Sequence, residues 1–136
     1  MKITILLKFA LFSSFIFLSF GSYGQTENVL QSTRKLGEAD FHFDVMYKIV
    51  DCGDGIPRML ITTFNESGKK NDVAFDIVLK DNKGTVQTIK VPFFYSKLGE
   101  MLIPSCSDTK NKFLIHALDS DLDWKSMKTE IKFYSK

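Results

Sequence analysis

From Phe41 onward the chain alternates. Phe41, Phe43, Val45, Tyr47 and Ile49 are separated by His42, Asp44, Met46 and Lys48, the two-residue period of a strand with one face in a core. Gly53, Asp54, Gly55 and Pro57 break this run and place Cys52 at a strand end. Met59 to Phe64 is β-branched and aromatic, and it stops at the turn-forming cluster Asn65, Glu66, Ser67 and Gly68. Val73, Phe75, Ile77 and Leu79 then alternate with Asp76 and Lys80, the tetrad Asp81, Asn82, Lys83 and Gly84 turns the chain, and Ile89, Val91, Phe93 and Tyr95 share the next face. These two runs should pair as an antiparallel hairpin. Pro92 has no N–H to give a ladder, which predicts an edge position or a bulge.

Leu98 to Glu100 turns the chain again, Met101 to Cys106 and Phe113 to Leu118 are short strands, and Met127, Thr129, Ile131 and Phe133 mark the inner face of the last. Residues 25–40 are polar and hold no sustained period, so they are expected to be a flexible N-terminal segment. Seven amphipathic strands and no amphipathic helix predict an all-β fold. The expected architecture is a seven-stranded Greek-key β-sandwich over residues 41–136, in which two sheets cover each other's apolar faces.

The first 24 residues change the picture of charge and compartment. Lys2 and Lys8 precede or open the apolar run Phe9 to Phe20, and Ser22, Tyr23 and Gly24 give a small-residue exit. These are the parts of a cleavable signal peptide, with cleavage expected before Gln25. The alternative, a membrane anchor, fails on length, since a spanning helix needs roughly 20 apolar residues. No cysteine stands among the residues just after the apolar run, Gly21 to Gln25, to carry a lipid. The chain has 18 basic and 16 acidic residues; the leader takes two bases and no acid, leaving 16 against 16 in the remainder. A neutral domain without a basic stripe removes the electrostatic argument for nucleic acid or an anionic membrane as a partner, and no membrane insertion is expected after cleavage. The expected location is therefore secreted or periplasmic.

In that setting Cys52 and Cys106 are read as a disulfide, with two buried free thiols as the alternative. Neither has a histidine beside it in sequence to make a nucleophile. The strand layout, with Tyr47-Lys48-Ile49-Val50-Asp51-Cys52 followed by Leu98-Gly99-Glu100 and Cys106, resembles immunoglobulin and fibronectin type III sandwiches. It is similar to uncharacterised small secreted proteins of Bacteroidota-type bacteria, over about residues 41 to 135. The resemblance implies the sandwich and no particular activity.

Candidate chemistry is sparse. His42 and Asp44 lie two apart on one strand face, where they could orient an imidazole for a small hydrolase of unknown substrate or form an ordinary strand surface. His116 alternates with Leu114 and Leu118 as a half-buried packing residue. Asp119, Asp121 and Asp123, with Glu130 further on, follow a calcium-loop order of hard oxygens, but Trp124 stands where a sharp turn needs glycine. Asn65-Glu66-Ser67 matches an N-glycosylation acceptor. No catalytic motif, phosphate loop or dinucleotide fingerprint is present, so neither an enzyme nor a cofactor is expected. The reading that remains is a non-catalytic module binding a protein or a glycan, with a calcium-dependent adhesive module as the alternative. Tyr95, Trp124 and Tyr134 are the candidate contact aromatics.

Overall fold

A computed structural model describes residues 26–136. The expected signal peptide, residues 1–24, lies outside them. Eight strands form two antiparallel sheets: β1 (Asn28–Ala39), β2 (Phe43–Asp51), β3 (Pro57–Asn65), β4 (Asn71–Lys80), β5 (Val86–Ser96), β6 (Met101–Leu102), β7 (Ile115–Ala117) and β8 (Lys128–Ser135). The larger sheet has the order β1-β2-β3-β6, with β7 on the same edge of β3, and the smaller is β5-β4-β8. The β4–β5 hairpin forms as its turn chemistry predicts. Asp81 Oδ1 accepts the N–H groups of Lys83 and Thr85 at 2.9 and 2.8 Å, and Gly84 takes φ +89°. Among the described residues no helix is long and apolar enough to cross a membrane.

The alternation read from the sequence becomes the core. Phe43, Val45, Tyr47 and Ile49 of β2 face Phe75, Ile77 and Leu79 of β4, with Met59, Ile61, Ile89, Val91, Leu114, Leu118 and Leu122 filling in around them. Phe41, Phe43, Phe75, Phe94, Phe113 and Phe133 form a chain of rings with centroids 5.0–6.4 Å apart, in tilted and edge-on arrangements that suit aromatic quadrupoles.

Two expectations are corrected here. The segment expected to be flexible is strand β1, so there are eight strands rather than seven and the sandwich begins at Asn28 rather than Phe41. The twelve residues of β1 pair with the nine of β2 through three register irregularities. Each irregularity reverses the faces, so no two-residue period survives in the sequence. Residues 40–42 form the connecting turn instead of the start of β2. His42 N–H donates to the Ala39 carbonyl at 2.9 Å, and His42 sits at φ +58°, as in three-residue hairpin loops that end in a left-handed residue.

The second correction concerns the later strands. Met101 to Cys106 yields only the two-residue β6, and Phe113 to Leu118 divides into a 3-10 turn at Lys112–Leu114 followed by β7. Both short pieces pair with opposite ends of one edge of β3.

Candidate functional site

The site is built by a β-bulge. Val73 is opposite Phe94 while Phe75 is opposite Val91, so β5 carries one extra residue at Pro92 and Phe93. Pro92 thus holds both positions its chemistry allows, a bulge on an edge strand. The extra residue reverses the faces beyond it. Ile89 and Val91 stay in the core, Phe94 turns inward, and Phe93 and Tyr95 turn outward at 46 % and 48 % exposure. The expectation that Phe93 shares the core face of Ile89 and Val91 is overturned by this shift.

On the far side of β4, Tyr134 of β8 pairs with Ala74 and is also exposed. Ala74 therefore lies in register between Tyr134 and the bulge carrying Phe93, and it is itself buried. Lys136 Nζ sits 4.6 Å over the Phe93 ring and Lys132 Nζ 5.4 Å over Tyr134, each attracted by the ring's negative face. The Tyr134 hydroxyl donates to Asp76 Oδ2 at 3.1 Å. Next to Tyr134 a shallow groove of about 570 Å³ is lined by Asp76, Val78, Thr88, Glu130 and Lys132. A second of about 390 Å³, sharing Val78 and Glu130, continues it past Lys80 and Lys128.

Of the aromatics singled out in the sequence, the structure brings Tyr95 and Tyr134 to this one face. Trp124 does not join them. It is half-buried against the core, in a loop tied down where buried Asp81 accepts the Asp123 N–H at 3.0 Å and Ser126 Oγ accepts from Asn82. The N–H of Asp123 beside the Asp81 carboxylate holds its pKa below the ordinary value. Phe93 takes the third place, and Pro92 was the sequence signal that could have found it.

The other candidates disperse. His42 is exposed with Nδ1 3.5 Å from Glu38, while Asp44 pairs with Lys35 at 3.1 Å, so the two do not form a catalytic pair. His116 is half-buried, its Nε2 2.8 Å from the Phe113 carbonyl oxygen, and burial pushes its pKa down. Asp123 binds Ser126 through Oδ2, and the Asp119 N–H donates to Gln87. Among the described residues no three His, Cys, Asp or Glu side chains are grouped to hold a metal ion. Asn65 is fully buried, its Nδ2 donating to the carbonyls of Lys69, Ser96 and Lys97. The atom a glycan would need is therefore occupied inside the fold.

Cys52 and Cys106 are bonded, with Cα atoms 5.6 Å apart. With Val50, Leu60 and Ile115 they make a small apolar cluster separate from the sandwich core, on the outer face of the larger sheet. Beside it, Asp51 Oδ1 accepts the N–H groups of Gly53, Asp54 and Gly55. Arg58 holds both oxygens of Asp54 at 2.5 and 2.6 Å and lowers its pKa to about 2. The chain matches no protein-family model, no curated protein and no solved structure.

Proposed function

We propose that this protein is a non-catalytic binding module acting outside the cytoplasm, and that it engages its ligand through the outer face of the smaller sheet. One observation carries the reading: Phe93, Tyr95 and Tyr134 lie exposed on a single sheet face beside a groove, where burial would have been the ordinary fate of such rings. Planar exposed rings are effective contact residues because they bring large area at low conformational cost. The leader-like residues 1–24 and the Cys52–Cys106 bond support export to an oxidising compartment.

The finer reading of the fold is a variant of the immunoglobulin and fibronectin type III sandwich. Its support is the pairing of β2-β3-β7 in one sheet and β4-β8 in the other, which follows the A-B-E and C-F order of those domains. The disulfide differs, since it joins the end of β2 to a loop of the same layer rather than bridging the sheets.

The test is retention of envelope and culture-medium components, protein and glycan, on the immobilised protein. A variant carrying Phe93→Ala, Tyr95→Ala and Tyr134→Ala should lose the retained material while keeping its far-UV spectrum. Identical retention by both would remove the site assignment.

A further inference from the structure

We propose that the groove on the outer face of the smaller sheet binds a linear acidic polysaccharide, its uronate carboxylates meeting the lysines of β4 and β8 and its sugar rings lying on Tyr134 and Phe93. The inference rests on the binding-module reading and names the ligand of that same face.

The first argument is shape. The two grooves share Val78 and Glu130 and run along β4 and β8 from Tyr134 to Lys128, about 20 Å at the rise of a strand. A compact ligand needs an enclosed pocket, whereas an open track of this length suits a polymer lying along it.

The second is charge. Lys80 and Lys128 are direct cross-strand partners lining the same groove, and like charges placed opposite each other destabilise a sheet. Among the described residues no carboxylate lies within ion-pairing distance of Lys80, Lys128, Lys132 or Lys136. The lysines at 128 and 132 of β8 and at 136 just past its end recur every fourth residue, about 13 Å apart by strand rise. An anion arriving there meets cations that have no carboxylate to give up.

The third is the pairing of cation with ring. Lys132 over Tyr134 and Lys136 over Phe93 set an ammonium against each exposed ring, so a carboxylate that draws the lysine aside uncovers an aromatic face for the C–H side of a pyranose. A single-stranded nucleic acid also combines negative charge with rings. Asp76 and Glu130 in the track and the absence of net charge in residues 25–136 bear equally on either polyanion, so the two are separated by experiment.

The experiment is calorimetric titration of the purified protein with polygalacturonate, alginate and hyaluronan, with fully methyl-esterified polygalacturonate as the uncharged arm and oligo-dT as the phosphate arm. Binding of at least one uronate polymer is expected, weakened about tenfold or more by the methyl ester, by Lys132→Ala with Lys136→Ala, and by Tyr134→Ala. Thermal melts of each variant confirm that the fold is kept. Equal affinity for the uronate and its methyl ester would overturn the acidic specificity while leaving the aromatic platform standing. Binding of oligo-dT in preference to every uronate, or of none of these polymers, would overturn the polysaccharide assignment. The triple aromatic variant in the retention assay still tests the binding-module reading separately.

Discussion

Asn65 connects more of the chain than any other single side chain described above. It is fully buried at the end of β3. Its Nδ2 donates to three carbonyls, its Oδ1 accepts from Ser67, its N–H donates to Glu100 and its carbonyl accepts from Gly99. Asn65→Ala leaves those carbonyls without their donor and should cost about 3 kcal/mol in urea unfolding. Thr63, two residues earlier and also fully buried, has a hydroxyl with no hydrogen-bond partner among the described residues. Thr63→Val keeps the shape and should raise stability by about 1 kcal/mol in the same assay. Titration adds two further expectations. His116 is depressed below 6.5 by burial, so the unfolded chain takes the proton more readily; stability should be level above pH 6.5 and decline as pH falls below it, and His116→Gln should remove that decline. Asp54 is lowered to about 2 by Arg58, so its contribution is complete above the ordinary 3.8 and is lost as pH falls toward 2. The Asp54→Asn variant should be less sensitive to acid across that range.

At the scale of elements, what was legible in the sequence was whatever kept an unbroken period. The positions of β2, β3, β4 and β8 and the β4–β5 hairpin follow from alternation and turn residues. Strand β1 was not legible because three irregularities within twelve residues reverse its faces too often for any window to register. Phe93 and Tyr95 were placed on one face, rightly, but on the wrong one, since a single extra residue at Pro92 decides which side they take. The proline was visible and its consequence depended on the register of a partner strand. The corner between β1 and β8 is likewise set by tertiary approach. A Cβ on Gly37 would lie 2.6 Å from Ile131 Cγ2, and Ile131 is a stiff β-branched residue on the inner face of β8. Gly37→Ala should cost about 1–3 kcal/mol through overpacking. Its measurable signature is a lowered melting temperature with little change in the far-UV spectrum, and an unchanged melting temperature would mean that β1 does not seat on β8 as described.

For the whole molecule, the two sheets differ in what their outer faces carry. On the larger sheet the disulfide packs beside Val50 and Leu60, while the smaller sheet bears the candidate site. The Cys52–Cys106 bond, closing 54 residues, should stabilise the fold by up to about 4 kcal/mol through the lost freedom of the unfolded chain. A Cys52→Ser, Cys106→Ser variant should show this as a lower urea midpoint. The same variant has a further fate. Without the bond the loop between β6 and β7 should lift more readily and expose the buried side chains of Val50 and Leu60 as an oily flank. A chain synthesised where thiols stay reduced would carry that flank from the ribosome onward, and it would clump before it matured. Oxidation should then act in maturation as well as in stability, closing an apolar flank that the reduced chain leaves open.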